Sequence, residues 1–304
     1  MFHDFTYPAV LSAASRAAWK LDDVMPGDAA LDFTRRFLPE PLARTDAAPG
    51  LRAEECLLLN QIRGHEYLSL FGLIEEFIFP FLLDHVREQG PGEDEIQIRA
   101  LLQFAGEEAK HIQLFRRFQT AFRAGFATEC QIIGPAEAIA AEVLRHHPLA
   151  VALVVLQIEW MTQSHYLDSV RDDDGIDPLF ASLLRHHWME EAQHAKLDTL
   201  MVEAVAADMT RDGVAAAIDD YFKIAAFLDA GLQSQVQFNL AAFEQAAGRS
   251  LDGTTRDAVL AGQLQALRWT YIGSGLEHRN FRTTLAALSP DGLARVDAAA
   301  RAFR

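Results

Sequence analysis

Two short stretches of this chain set metal-binding side chains at helical spacing: Glu107-Glu108-Ala109-Lys110-His111 and His187-Trp188-Met189-Glu190-Glu191-Ala192-Gln193-His194. At about 100° per residue on a helix, His187, Glu191 and His194 share one narrow stripe. Each stretch contains Glu-x-x-His, which stacks a carboxylate and an imidazole one turn apart. Two such motifs on separate helices are half of a di-metal carboxylate site in a four-helix bundle. The other half is a lone Glu from each of two further helices. A single Glu-x-x-His is most often a solvated surface pair, so the reading depends on finding those two glutamates.

The helices that must position them can be read in order. No stretch shows strand alternation, and the chain reads as all-α. A long helix is expected over 53–88, kinked near Pro80 and closed by Gln89-Gly90-Pro91-Gly92. The next opens with Glu93, Asp94 and Glu95, acids that suit a helix N-terminus, and runs to about Arg123. Gly134-Pro135 starts a shorter helix to His147, and Pro148 starts an apolar helix through Glu159 to about Arg171. Asp177-Pro178 then opens a helix to about Met209 that carries the second motif. Long helices over 214–247 and 254–288 and a short one from Pro290 complete the chain. The first fifty residues carry Pro8, Pro26, Pro39, Pro41 and Pro49, with short helical pieces expected near 9–20 and 29–37. They read as a wrap over the bundle or a dimer arm. The whole is one domain, 1–304, with the bundle in 51–209 and accessory helices in 210–304.

Helical phase locates the inward groups. On the second bundle helix Arg99, Gln103, Lys110 and Arg117 mark the outside, which turns Glu108 and His111 inward. On the fourth, Arg185, Ala192, Lys196 and Glu203 are outside, opposite His187, Glu191, His194 and Asp198. On the third, Gln157, Ser164, Asp168 and Arg171 read as outside, leaving Glu159 inward. On the first, Glu66, Ser69, Asp84, Arg87 and Glu88 read as the polar face; Glu75 points away from it and Glu76 lies nearer to it. Glu107 and Glu190 read as contacts beyond the metal bonds, Asp198 as an acceptor for the spare N–H of His194, and His186 as polar surface. Tyr166 and Gln163 read as core packing. An isolated buried carboxylate protonates to escape its cost. Four inward carboxylates are tolerable if two divalent cations neutralise them. Oxygen and imidazole donors without thiolate suit iron or manganese better than structural zinc.

Composition narrows the classes. With 43 acidic against 27 basic residues and a formal charge of -16, the chain is a poor partner for nucleic acid or an anionic membrane. The apolar run Leu149 to Ile158 is too short to cross a bilayer. Cys56 and Cys130 make no disulfide framework, and residues 1–19 lack the apolar core of a signal peptide, so a reducing cytoplasm is expected.

The combined pattern resembles the ferritin-like di-iron carboxylate superfamily over residues 51–209. Within it, the extra histidine of His187-x-x-x-Glu191-x-x-His194 is similar to the p-aminobenzoate N-oxygenase family. Those enzymes bind two irons with four carboxylates and three histidines and oxidise arylamines to nitroso or nitro compounds. The resemblance implies the ligands Glu75, Glu108, His111, Glu159, His187, Glu191 and His194. It also implies a ferritin-like bundle with extra N- and C-terminal helices, two Fe ions (Mn being the alternative), O2, a small organic substrate and an external electron donor. A homodimer is an open arrangement. In the radical-generating small subunit of ribonucleotide reductase a tyrosine follows the first motif's histidine by four residues; here that position is Phe115. The rival readings are a manganese catalase-like protein and an iron-handling ferritin-like protein. His187→Ala is expected to lower metal occupancy sharply and His186→Ala to leave it near wild type, measured by metal content of the purified variants.

Overall fold

The computed structural model describes residues 3–27, 29–46, 48–88 and 95–303, without the side chain of residue 88. The expected turn Gln89-Gly90-Pro91-Gly92 and the acids Glu93 and Asp94 lie outside the described residues. Thirteen α-helices follow one another among the described residues: α1 Tyr7–Ala17, α2 Leu21–Val24, α3 Glu40–Ala43, α4 Ala53–Glu88, α5 Glu95–Gly125, α6 Ala136–Leu144, α7 Pro148–His165, α8 Pro178–Ala206, α9 Arg211–Ala247, α10 Gly253–Arg268, α11 Ser274–Glu277, α12 Arg279–Leu288 and α13 Pro290–Ala300. Residues Tyr166–Val170 and Trp269–Gly273 are π-helical turns. The only β feature among the described residues is one isolated bridge, Arg36 to Ile176.

The bundle is made of two helix pairs, α4 with α5 and α7 with α8, joined along α5 and α8. α9 packs across α4 and α7, and α1 lies against α5 and α8. α4 runs unbroken through Pro80. α7 is apolar around its circumference, and every residue from Leu149 to Gln163 is buried. Each fully buried Val or Leu contributes about 1.5–3 kcal/mol, and this central helix is what holds Glu159 in the interior. α8 starts cleanly because the Asp177 carboxylate accepts from the Phe180 amide at 2.9 Å.

Two expectations about helix extent are corrected. Residues 29–37 form no helix. Their backbone groups are taken by side chains instead. Asn60 accepts from the Phe37 and Leu38 amides, Gln61 donates to the Phe33 and Arg35 carbonyls, and Asp177 accepts from the Asp32 amide. The expected single helix over 254–288 is broken by the π turn and by the extended backbone of His278. The chain there crosses α7 closely: a Cβ on Gly275 would lie 2.7 Å from the Gln157 carbonyl oxygen.

Two expected polar faces are buried. Glu66 and Ser69 on α4, and Gln157 on α7, are interior; α9 and the 268–277 segment cover Glu66, through Asn239 and Tyr271, and Gln157, through Tyr221 and Ile272. Gln157 donates to the Ile272 carbonyl at 3.3 Å and accepts from the Tyr221 hydroxyl. Asp84 and Arg87, beyond that cover, are exposed as expected.

Two glycines on long helices respond oppositely to a methyl group. A Cβ on Gly64 would lie 2.4 Å from Phe37 Cβ, whereas one on Gly106 meets nothing within 4 Å. Gly106→Ala is expected to stabilise by roughly 0.5–1 kcal/mol through helix propensity and unfolded-state entropy. Gly64→Ala is expected to destabilise by about 1–3 kcal/mol, overpacking outweighing propensity. Urea midpoints of the two variants check the opposite signs.

Candidate metal centre

Glu75 lies in the middle of α4, Glu108 and His111 in α5, Glu159 in α7, and His187, Glu191 and His194 in α8. All seven side chains are at most 3% exposed. Six of them supply ligand atoms to two overlapping groups, and Glu159 belongs to neither. Glu75, His111, His187 and Glu191 make one, and Glu108, His111, Glu191 and His194 make the other, with atoms in each group lying within 4.8 Å of one another.

Glu191 lies between the two groups. Its Oε1 is 2.7 Å from His187 Nε2 and 3.1 Å from His111 Nδ1, and its Oε2 is 2.7 Å from His194 Nδ1. Glu75 Oε1 is 2.9 Å from His187 Nε2, and Glu108 Oε1 is 2.9 Å from His194 Nδ1. Glu159 shares a carboxyl–carboxyl hydrogen bond with Glu191. Glu76, the other first-helix candidate, is half-buried and pairs with Arg116 at 2.9 Å, outside the cluster.

Both motif histidines are oriented from across the bundle. His111 Nε2 meets Glu190 Oε2 of α8 at 2.8 Å, and His194 Nε2 meets Glu107 Oε2 of α5 at 2.9 Å. Each Glu-Glu-x-x-His helix therefore fixes the imidazole of the other and leaves Nδ1 facing inward. Lys110 donates to Glu190 and Gln103 to Glu107, which anchors the two outer carboxylates. The expected role of Asp198 is corrected here: Glu107 has the better placed oxygen for His194. Asp198 is buried with Oδ2 unpartnered.

Aromatic rings seal the cluster. Phe104 stacks on His194 at 3.9 Å, and Phe71 and Phe115 meet His187 edge-on at 5.5 and 5.2 Å. Trp19, from the N-terminal segment, stacks on His111 at 5.7 Å and carries Lys110 over its ring at 3.9 Å. The Trp19 contact was not foreseen from sequence, since nothing local marks a lone tryptophan in a proline-rich segment as a lid on a histidine 92 residues downstream. His186 is half-buried rather than surface, held by the Ser182 carbonyl at 2.7 Å. Tyr166 stacks on the Trp188 ring, and Gln163 donates to the Trp188 carbonyl at 3.5 Å.

The charge state of the bare polypeptide follows from burial and proximity. Burial, reinforced by Glu75 and Glu191, pushes Glu108 up to about 7. Burial and Glu191 push Glu159 well above the carboxylate range. Burial opposes ionisation of Glu191 too, but His194 and His187 outweigh it and hold that carboxylate well below its usual value. Burial would lower His187, yet Glu191 and Glu75 raise it to about 9. Protons thus do in the bare chain what cations can do in a loaded one.

The residues fit a pair of metal ions. Glu75 Oε2, both Glu108 oxygens, His111 Nδ1 and Glu159 Oε2 are buried and lack a properly formed hydrogen bond. Orphaned lone pairs of this kind, converging from three helices, are expensive unless something binds them. An all-α ferritin-like bundle with this donor set is a di-metal carboxylate protein.

The model of the family described as P-aminobenzoate N-oxygenase AurF matches residues 16–241. The chain belongs to that family, and is a di-metal, O2-activating oxygenase or oxidase. A search of curated proteins finds no match. Among solved structures the chain is similar to an R2-like ligand-binding oxidase with an aerobically reconstituted Mn/Fe cofactor, at TM-score 0.49 and 13% identity over 88% of this chain and 92% of that one. It is also similar to a variant of an R2-like ligand-binding oxidase with an Fe/Fe cofactor, at TM-score 0.48 and 13% identity over 90% and 100% of the two chains. No helix among the described residues is long and apolar enough to cross a membrane.

Glu190→Gln and Glu107→Gln are each expected to weaken metal binding by about 10–100-fold, because the inward imidazoles lose their anchors. Glu76→Gln should change it little. Titration against a competing chelator measures all three.

Proposed function

We propose that Glu75, Glu108, Glu159, Glu191, His111, His187 and His194 hold two iron ions, and that the protein N-oxygenates a small aromatic amine. The orphaned carboxylate and imidazole atoms facing one shared space carry this reading, together with membership of an N-oxygenase family. When bound, the iron pair supplies O2 activation and the oxidising power for N–O bond formation. The protein's own contribution is orientation and exclusion. Glu191 presents one oxygen to each half of the cluster, so its carboxylate would serve both ions. The third histidine, His187, would add a neutral nitrogen donor beside Glu75 and Glu191. Phe71, Phe104 and Phe115 keep water from the inward atoms.

Room for a substrate ring lies beside the cluster. A groove of about 750 Å³ runs between α4 and α5, with Ser69, Gly72 and Phe115 in its wall and Arg116 and Arg123 among its surface residues. Phe115 separates it from His187. The reading carries with it an external electron donor, a cytoplasmic setting and one folded unit over 1–304, with the N-terminal fifty residues wrapped on the 51–209 bundle. Iron-loaded, reduced protein exposed to 18O2 with 4-aminobenzoate and a panel of other anilines is expected to place labelled oxygen on the amine nitrogen. Two bound manganese ions with rapid peroxide disproportionation and no labelled product would overturn the proposal in favour of a catalase-like role.

A further inference from the structure

Beyond the seven groups, one buried pair has chemistry that the N-oxygenation reading does not use. Tyr67 on α4 and His165 at the end of α7 are 2% and 3% exposed, and the phenol oxygen lies 2.9 Å from His165 Nδ1. The hydrogen-bond network assigns the direction. Ser274 Oγ donates to the Thr270 carbonyl at 3.2 Å, so it must accept from His165 Nε2 at 3.0 Å. His165 therefore carries its proton on Nε2, and Nδ1 is a free base that accepts from Tyr67. Burial holds His165 down at about 3, so the imidazole is neutral. Burial, with Glu191 and Glu66, pushes the Tyr67 phenol up, so it does not ionise by itself. A phenol that keeps its proton at rest, aimed at a neutral imidazole, is set to lose an electron and a proton together.

Tyr67 is one ring away from the metal-binding groups. Its ring lies 4.6 Å from Phe71, and Phe71 lies 5.5 Å from His187. We propose that Tyr67 is a redox-active residue that yields one electron toward the oxygen-oxidised metal pair when no amine is present to be oxidised. The step balances. The Tyr67 O–H bond breaks, the electron reduces the metal pair by one equivalent, and the proton bonds to His165 Nδ1. A neutral phenoxyl radical then faces an imidazolium whose Nε2–H is held by Ser274. The pair would drain oxidising equivalents away from the ligands themselves. This inference rests on the di-iron reading.

The test uses the full chain loaded with iron, with two irons per chain verified first. The reduced protein is exposed to O2 without amine, freeze-quenched and examined by electron paramagnetic resonance, with and without ring-deuterated tyrosine. The expected result is an organic radical whose hyperfine structure narrows on labelling. It should be lost in Tyr67→Phe, diminished in His165→Gln, and retained in Tyr271→Phe, whose phenol instead donates to Glu66 at 2.7 Å. Melting temperature and iron content of each variant confirm that it is folded and loaded. No tyrosine-derived signal in loaded wild-type protein that consumes O2, or an unchanged signal in Tyr67→Phe, would overturn the proposal. Failure of the wild type to bind two irons would overturn the di-iron reading, and this inference with it.

Discussion

The interior of this bundle concentrates more negative charge than a folded chain can bury alone. Burial shifts a lone carboxyl by as much as about 3–5 pKa units, or about 4–7 kcal/mol. Four of them would cost about 16–28 kcal/mol against a total stability of about 5–15 kcal/mol. Glu75, Glu108, Glu159 and Glu191 are nonetheless all interior. They are tolerable only with positive charge among them. In the bare polypeptide that charge is protons on Glu108, Glu159 and the histidines. In the working protein two divalent cations would match four carboxylates, and the outer pair Glu107 and Glu190 is matched separately by polar and cationic neighbours.

Much of the surrounding architecture can be understood as holding that arrangement still. The apolar α7 keeps Glu159 from reaching water, and α9 and the 268–277 segment cover the bundle faces of α4 and α7. The reciprocal pairs Glu107–His194 and Glu190–His111 tie α5 to α8 at the level of the site. The N-terminal segment adds Trp19 over His111 and Lys110, which connects the proline-rich arm directly to the cluster. The same segment is threaded into the bundle by Asn60, Gln61 and Asp177, so its position is set by hydrogen bonds and not only by apolar contact.

The centre was legible in the sequence because its residues break a rule. Glu75, Glu108, Glu159 and Glu191 are charged where helical phase demands apolar groups, and phase favoured Glu75 over Glu76 although part of the polar face it was measured from is buried. Glu107 and Glu190 read from sequence only as contacts beyond the metal bonds; that each meets the motif histidine of the facing helix is seen in the structure. The same phase argument misplaced Glu66, Ser69 and Gln157, because it assumes one water-facing side per helix. The covering partners lie far along the chain: Glu66 meets Asn239 and Tyr271, 173 and 205 residues away, and Gln157 meets Tyr221 and Ile272, 64 and 115 residues away. Residues 29–37 looked helical locally, but long-range side chains satisfied their backbone first. Asp198 was the nearest acceptor along the helix, yet Glu107 from another helix reached His194. These misses share a cause: the deciding partner lies far along the chain.

The most direct test of the charge argument is a thermal-unfolding titration of metal-free protein with Fe(II) under anaerobic conditions. Binding to the folded state alone must raise the melting temperature. A rise that breaks at two equivalents per chain, and disappears when a chelator is added, is the predicted result. A melting temperature indifferent to iron would show that the buried carboxylates are balanced without cations, and would contradict the account.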